Sequence, residues 1–343
     1  MTFNPRNILV IDFGQLGDVV MSLPALRAIH DHFPHARLTV AVGRPGAEII
    51  EMSGLADATI EIDRVGLRDG FQPLSVLRIL QIVKDVRRCE FDFVIDLHSF
   101  AETNLLGFLS RARNRLFARR PGRSLDFLAN FDPKPPVDKN DPEQHLVDRY
   151  LDVLVPLGIK NAARVPKLTT RAEDDRAVDV LLRKSKAESG TPLVGLFPGA
   201  GHPGRCWPLE SFVQLADFLV RNDGVRSVVF VGPEERHLVP QMRAQFPSSC
   251  VILDKLTIPQ LAAAQARLAV FVSNDTGPVH IAAAVGTPIV VLIDLPTPHA
   301  YVPLAESQRL IFSQSIAQIE VEETYAATRE LLSAGRTEKL FAS

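Results

Sequence analysis

The chain has 343 residues, 46% of them hydrophobic and 23% charged, which excludes a disordered or fibrous protein and fits two globular domains. Its formal net charge of -2 gives no reason to expect a nucleic-acid partner. The cysteines are widely spaced and form neither a metal-binding pattern nor a disulfide framework, which suits a reducing compartment. No signal sequence opens the chain, and no apolar run approaches the roughly 18 residues of a membrane span. We therefore expect a cytoplasmic protein that could still contact a membrane surface.

The first half of the chain alternates short apolar runs with segments of helical periodicity. This alternation indicates a parallel sheet with helices on its faces. The segment 119–142 is rich in proline, aspartate and arginine and is expected to form a long loop. The predicted strands are 7–11, 38–42, 59–62 and 91–97, and the predicted helices are 24–33, 46–52, 74–86 and 145–157.

The same alternation restarts in the second half, after a charged helix and a Ser-Gly-Thr-Pro loop. We predict two doubly wound α/β domains, 1–170 and 171–320, with the active site in the cleft between them. The tail, 321–343, is predicted to be helical and to pack back on the first domain. The predicted strands here are 193–197, 228–231, 251–253, 268–272 and 289–293, and the predicted helices are 172–187, 209–221, 235–246, 259–266, 281–286 and 321–332.

A polar loop, Ser-Asn-Asp-Thr-Gly-Pro-Val-His at 273–280, lies between a predicted strand and a small-residue helix. Asp275 or Thr276 is placed to cap that helix, and Pro278 suits its first turn. Free N–H groups at a helix start bind anions, so the loop predicts a phosphate-bearing ligand. Asp275 is unfavourable beside a diphosphate unless it caps the helix, contacts sugar hydroxyls or meets a cation.

Two further loops also follow predicted strands. The loop Phe-Gly-Gln-Leu-Gly-Asp at 13–18 lacks the dinucleotide-binding fingerprint. Its Asp18 fits a helix cap and a proton-accepting carboxylate about equally well. In the loop at 198–208, Arg205 stands where a guanidinium could meet a diphosphate, although a solvated surface arginine explains it as well.

Charged residues suggest two more contacts, each with an ordinary structural alternative. Glu234, after the strand at 228–231, could bond ribose hydroxyls or simply favour the first turn of a helix. A run of arginines with no acid among them could be a solvated face, or it could hold an anionic acceptor or lipid headgroups. The run consists of Arg111, Arg113, Arg115, Arg119, Arg120 and Arg123.

Segments spread over almost the whole chain share their order and residue types with one known family. They are Ile-Leu-Val at 8–10, Gly-Asp-Val-Val at 17–20, Leu-Pro-Ala-Leu at 23–26, Asp-Leu at 96–97, Pro-Gly-Ala at 198–200, Arg-Cys-Trp-Pro at 205–208, Asn-Asp-Thr-Gly-Pro-Val-His at 274–280, Ala-Ala-Ala at 282–284 and Gly-Thr-Pro at 286–288. Together they resemble glycosyltransferase family 9, the heptosyltransferases of lipopolysaccharide core assembly.

This resemblance implies a GT-B architecture, in which two Rossmann-like domains bind the acceptor and a nucleotide sugar, usually an ADP-heptose. It also implies an inverting transfer with Asp18 as general base. Further roles are assigned on the same grounds. Arg205, Thr276 and Gly277 would bind the donor diphosphate, Asp275 the donor sugar, Glu234 and Leu256 the nucleotide, and Gly17, Arg119 and Arg120 the acceptor.

The expected partners are a nucleotide-sugar donor and an anionic glycolipid or glycan acceptor, with peripheral contact at the cytoplasmic face of the inner membrane. No bound metal is required, although Mg²⁺ could assist. The chain departs from the family pattern at 294–298, where Asp294 replaces a glycine and Thr297 an aspartate. This departure leaves the donor sugar open. The alternatives are a nucleotide-sugar epimerase and a divergent, non-catalytic GT-B protein that binds nucleotide sugar.

Overall fold

A computed structural model describes residues 3–63, 73–184, 191–295 and 297–341. Pro296, part of the segment that departs from the family pattern, lies outside these residues. The chain divides into two compact units, and the division falls between Pro166 and Lys167 rather than after residue 170. The first unit is Met1–Pro166 with His299–Tyr301, and the second is Lys167–Pro298 with Val302–Ser343.

The first unit contains a parallel sheet of five strands in the order β3-β2-β1-β4-β5. The central strand β1 is buried on both faces, which explains its continuous apolar run. Its strands are β1 (Asn7–Asp12), β2 (Arg37–Gly43), β3 (Ala58–Ile62), β4 (Phe93–Asp96) and β5 (Asn114–Phe117). Its helices are α1 (Leu16–His32), α2 (Arg44–Ser53), α3 (Pro73–Arg88), α4 (Ala101–Leu109) and α5 (Leu146–Asp152).

Three elements of the first unit, α1, α4 and β5, differ from the prediction. Helix α1 starts at Leu16 and includes Pro24, which was predicted to stand at the helix start. The prediction missed both α4 and β5. Strand β5 lies at the sheet edge and buries only Leu116 and Phe117, so its arginine-rich sequence lacks the apolar run of a central strand.

The second unit contains a parallel sheet of six strands in the order β11-β10-β9-β6-β7-β8. Strand β9 is buried throughout and ends at Asn274, directly before the polar loop. The strands are β6 (Leu193–Phe197), β7 (Arg226–Phe230), β8 (Val251–Leu253), β9 (Val270–Asn274), β10 (Ile289–Asp294) and β11 (Gln308–Ser313). The helices are α6 (Ala172–Lys184), α7 (Leu209–Asp223), α8 (Val239–Gln245), α9 (Ile258–Gln265), α10 (Gly277–Ala284) and α11 (Val321–Phe341).

The C-terminal helix α11 packs on the second unit, so the prediction that it packs on the first domain is wrong. Its Leu331 and Leu332 belong to the hydrophobic core of the second unit. The hydroxyl of Tyr325 donates to Asp223 Oδ2 at 2.8 Å, and Arg329 Nε lies 3.1 Å from Asp223 Oδ1. Helix α11 thus packs against α7 and strands β9–β11. Its helical period predicts an apolar side but does not specify which surface covers that side.

Candidate active site

The polar residues of the first unit gather where β1 and β4 end. These neighbouring parallel strands pair Ile11 with Asp96, so Asp12 and His98 emerge at one edge of the sheet. The chain leaves β1 toward β2, whereas β4 lies on the opposite side of β1, so this edge is a topological switch point. Such points are where open α/β sheets bind ligands.

Asp18 lies in the first turn of α1, half-buried and pointing back toward the end of β1. Its Oδ2 accepts the N–H of Gln15 at 2.9 Å. Burial raises the pKa of the Asp18 carboxyl and the charge of Asp12 raises it further, while the Gln15 N–H, His98 and Arg120 act in the opposite direction. Asp18 therefore helps to cap the start of α1, as predicted, and the same carboxylate is suited to accept a proton.

Asp12 and His98 form a buried pair beside Asp18 that the sequence did not single out. Asp12 is fully buried, and its Oδ1 accepts the N–H of Gly14 at 2.9 Å. His98 Nδ1 lies 3.5 Å from the same oxygen, which is longer than a hydrogen bond. Burial acts to raise the pKa of Asp12, but His98, Ser22 and the Gly14 N–H together lower it.

Tyr150 of α5, a helix that packs against α1, lies close enough to this site for its charges to act on the phenol. It is almost fully buried, and burial together with the charges of Asp12 and Asp18 raises its pKa well above the usual value. The phenol is therefore neutral beside the two carboxylates. Its position depends on the packing of α5 against α1, which no local motif encodes.

Asp96, one of the residues that carried the resemblance, has a structural role. Its Oδ1 accepts the N–H of Ser99 and its Oδ2 accepts from Asn104 Nδ2, both at 2.7 Å. Burial raises its pKa to about 6 against the opposing effect of these hydrogen bonds. Asn104 Oδ1 in turn accepts the N–H of Leu125 at 2.8 Å, so the network fixes the loop that carries the arginines.

The residues assigned to the acceptor lie in the first unit, but the arginine run is not one solvated face. Arg120 Nε is 3.4 Å from Asp138 Oδ2, and its guanidinium covers the Phe100 ring at 5.5 Å. Arg119 Nε is buried without a hydrogen bond among the described residues, 3.5 Å from Asp126 Oδ2. Gly17 lies half-buried in the first turn of α1.

In the second unit, Asn274 organises the loops that follow β6 and β9. Its Nδ2 donates to the carbonyls of Pro198 and Gly199 at 2.9 and 3.1 Å, and its Oδ1 accepts the N–H of Trp207 at 2.9 Å. The Trp207 indole N–H donates to the carbonyl of Ile319 at 2.8 Å. The amide of Asn274 therefore holds together the segment that carries Arg205.

Arg205 and Asp275, both predicted to contact the donor, form an ion pair with Arg205 Nη2 2.7 Å from Asp275 Oδ2. Burial raises the pKa of Asp275, Arg205 lowers it, and the nearby Asp294 raises it. The Asp275 side chain is 11% exposed and that of Arg205 42%, so the guanidinium remains accessible. The cation that makes Asp275 tolerable near a diphosphate is thus present.

Helix α10 begins directly after this pair. Thr276 is its N-cap residue, and Gly277 and Pro278 form its first turn. Within the described residues, the Thr276 side chain makes no capping hydrogen bond, and Asp275 is directed to Arg205 instead. The first N–H groups and the Thr276 hydroxyl are therefore suited to an anion.

Glu234 and Leu256, the residues predicted to bind the nucleotide, lie in the second unit, and Glu235 beside Glu234 is the acid that contacts the glycines after β6 and β7. The Glu235 carboxylate occupies the space that a side chain on Gly199 or Gly232 would fill. Glu234 is exposed, with Oε2 3.6 Å from the position of a Cβ on Gly201. Leu256 is half-buried against the core of the second unit.

Asp294 and Thr297, the two residues at which the chain departs from the family pattern, contact each other after β10. The Thr297 hydroxyl donates to Asp294 Oδ1 at 2.5 Å, and the Thr297 N–H donates to the Asp294 carbonyl at 2.9 Å. Asp294 thus has a local structural partner. Its charge also acts on Asp275, which links this pair to the candidate donor site.

Two kinds of feature are absent from the residues that the structure describes. They contain no group of three or more His, Cys, Asp or Glu side chains placed to hold a metal ion. They also contain no helix that is both long enough and apolar enough to cross a membrane.

Comparison with known proteins decides the family. Residues 79–329 match the model of glycosyltransferase family 9 (heptosyltransferase). The chain belongs to glycosyltransferase family 9. This membership identifies the protein as a glycosyltransferase, and its two Rossmann-like units are those of the GT-B fold.

Relatives of the chain include lipopolysaccharide heptosyltransferase 3 of Escherichia coli, 23% identical over 282 residues that cover 80% of each chain. Lipooligosaccharide heptosyltransferase 2 of Haemophilus ducreyi is 26% identical and covers 89% of this chain and 87% of its own. The solved structure of a family 9 glycosyltransferase from Veillonella parvula is similar over 97% of this chain and 99% of its own, with a TM-score of 0.85 at 22% identity. The E. coli heptosyltransferase WaaC with ADP-2-deoxy-2-fluoro heptose has a TM-score of 0.75 at 19% identity, covering 94% and 99%.

Proposed function

We propose that this family 9 enzyme transfers a heptose, with inversion, from an ADP-sugar to a lipopolysaccharide-core or related glycan acceptor. The names of the curated relatives support the reaction, and the ligand in the WaaC structure supports the donor. The observation that carries the proposal is Asp18. It is a half-buried carboxylate with a raised pKa, at the strand end where the acceptor half of the site is expected.

In the proposed reaction, Asp18 accepts the proton of the acceptor hydroxyl as that oxygen attacks the anomeric carbon. A raised pKa makes the carboxylate a stronger base. The Gln15 N–H fixes one of its oxygens at 2.9 Å and leaves the other available. A positioned base of this kind contributes roughly 10²- to 10⁴-fold to the rate.

On the donor side, the bond between the anomeric carbon and the diphosphate oxygen breaks, and negative charge develops on the diphosphate. Arg205 is proposed to exchange the carboxylate of Asp275 for a diphosphate oxygen, because its guanidinium is accessible and already near α10. Thr276 and Gly277 would complete the phosphate contacts. One well-placed hydrogen-bond donor of this kind stabilises the transition state by about 3–4 kcal/mol.

Once Arg205 moves to the diphosphate, the Asp275 carboxylate is free for the sugar hydroxyls. Arg205 and the start of α10 supply the positive charge, so we propose that no bound metal is needed. Transfer is then expected to persist in EDTA, and complete loss that is restored by Mg²⁺ would contradict this proposal.

A second candidate function is nucleotide-sugar binding without transfer. The Arg205–Asp275 pair favours it, since an arginine already neutralised by a carboxylate attracts a diphosphate less strongly. Epimerases are fold neighbours as well: the UDP-N-acetylglucosamine 2-epimerase of Methanocaldococcus jannaschii has a TM-score of 0.54 at 12% identity. That likeness concerns the fold alone.

The test is a calorimetric binding screen with ADP-, UDP- and GDP-sugars, followed by mass spectrometry of products formed with lipopolysaccharide-core acceptors. We expect preferential ADP-heptose binding and a product heavier by one heptose. Binding without a product would support the second candidate. Arg205→Ala should weaken ADP binding by about 10-fold or more, since a charge-assisted hydrogen bond is worth about 1.5–3 kcal/mol. Arg221→Ala, which removes an exposed arginine paired with Asp217 in the same unit, should leave ADP binding unchanged.

A further inference from the structure

Exposed apolar side chains concentrate on one part of the first unit. Six of the twelve large apolar side chains that are exposed in the described part of the chain belong to α3, α4 and the short turn Asp126–Leu128. Ile79 is the least exposed of the six, and we define the apolar face by the other five. These are Leu77, Leu80, Leu105, Phe108 and Phe127, with exposures of 63%, 60%, 46%, 44% and 72%.

The five side chains of the apolar face lie on neighbouring elements. Each helix contributes a pair three residues apart, which places both members of the pair on one side of the helix. Helix α3 contacts α4, and α4 contacts the Asp126–Leu128 turn. Arg115 also joins two of these elements, since its guanidinium covers the Phe108 ring at 5.4 Å and its Nε donates to the Leu128 carbonyl at 2.9 Å.

Basic side chains accompany the apolar face. Arg78 is exposed on α3, Arg111 and Arg113 follow α4 directly, and Arg123 is exposed just before the Asp126–Leu128 turn. The segment 73–128 carries ten basic and six acidic residues, whereas the whole chain carries 38 basic and 40 acidic ones. The first unit therefore has a local positive charge where its apolar side chains are most exposed.

We propose that the apolar face and its arginines dock on a bilayer surface that contains anionic phospholipids. Leucine and phenylalanine side chains insert at the boundary of headgroups and acyl chains, and arginines attract anionic headgroups, so this combination is typical of interfacial binding. Charge complementarity favours a lipid surface over a second copy of the chain, because two copies would bring their arginines together.

Docking would place the enzyme where a lipid-anchored acceptor is found. Docking explains the exposed arginines of the run as lipid contacts. Arg115 and Arg120 have partners inside the unit and are not part of the proposed lipid contact. The docking itself needs neither donor nor acceptor. Its failure is therefore distinguishable from failure of the proposed transfer reaction.

The experiment is co-sedimentation of the full chain with vesicles of phosphatidylglycerol and phosphatidylethanolamine, compared with vesicles of phosphatidylcholine alone. We expect binding to the anionic vesicles that weakens as salt is added. The double variant Leu105→Ser/Phe127→Ser should lose most of that binding. A Val180→Ser variant on α6, where the exposure is 44%, is the matched apolar control and should bind like the wild type.

The charge variant is Arg111→Gln/Arg113→Gln/Arg123→Gln. Each arginine near an anionic surface contributes about fivefold to the affinity, so loss of all three should weaken vesicle binding on the order of 100-fold. Arg183→Gln/Arg243→Gln, at exposed sites of the second unit, should have no effect. All variants should keep the wild-type melting temperature. Equal binding of wild type and both face variants, or no binding to anionic vesicles, would overturn the proposal. So would a variant that changes only the oligomeric state in sedimentation velocity, since the face would then join two copies.

Discussion

Replacing Gly14 by alanine tests whether the position of Asp18 matters for catalysis. A Cβ at Gly14 would lie 2.5 Å from Asp18 Cβ, 3.0 Å from Asp12 Oδ1 and 3.3 Å from Asp18 Oδ2. Two non-bonded carbons prefer roughly 3.5–4.0 Å, so the added methyl must move Asp18 by about 1 Å. Glycine at this position therefore allows two carboxylates to approach the same stretch of backbone.

The magnitude follows from this displacement. A catalytic group misplaced by about 1 Å costs on the order of 10²-fold in rate. The crowding itself should cost about 1–3 kcal/mol of unfolding free energy. We therefore expect Gly14→Ala to lower kcat/KM for heptosyl transfer about 100-fold, with nearly unchanged affinity for the ADP-sugar, because the donor residues lie in the second unit.

The assay is transfer kinetics together with thermal unfolding, and two other glycines serve as controls. Gly335→Ala adds a methyl with no atom within 4 Å, so it should leave kcat/KM unchanged; it should raise the melting temperature slightly, because alanine favours the helical backbone of α11 more than glycine does. At Gly195 a Cβ would crowd Leu268 and Phe271 in the core of the second unit, so Gly195→Ala should lower the melting temperature without the 100-fold loss of activity in folded protein. A folded Gly14→Ala enzyme with wild-type kcat/KM would refute the reasoning.

The charges around Asp18 predict opposite effects on the pH profile of kcat/KM. His98→Asn removes a group that lowers the pKa of Asp18, so the acidic limb should move to higher pH; Asp12→Asn removes one that raises it, so the limb should move to lower pH. Shifts in the same direction, or none, would contradict the assigned base. Stability should also depend on pH through Asp96, whose pKa burial raises to about 6 in the folded protein. The protonated form is favoured by folding, so this contribution is complete below about pH 3.8 and falls by about 3 kcal/mol as the pH rises through 6. Urea unfolding across that range should show the decline, and a decline of the same size in Asp96→Asn would assign it to another group.

The buried strands were predictable because their sequences carry the signal themselves. Strands β1, β6 and β9 are covered on both faces and so appear as continuous apolar runs. The edge strand β11 is only partly buried and was missed, as β5 was. The packing of α11 was predicted wrongly because an amphipathic period shows that a helix has an apolar side but not which surface covers it.

The positions of Asp18, Arg205 and Asp275 in loops and first turns after strands were predictable, because each residue follows a strand within one motif. The contact between Arg205 and Asp275 was not predictable, because they are 70 residues apart and meet only through the sheet order. The same holds for Asp12 and His98, which the pairing of β1 with β4 brings together. Knowledge of that pairing would have placed both residues beside Asp18.

The central claim is that Asp18 is the general base of a sugar transfer. Its most direct test is Asp18→Asn, measured by mass spectrometry of the transfer product and by calorimetry with the ADP-sugar. Asparagine keeps the size of the side chain but accepts a proton far less readily, so transfer should fall by about 10²- to 10⁴-fold while donor affinity stays close to that of the wild type. An Asp18→Asn enzyme that forms product at the wild-type rate would contradict the account.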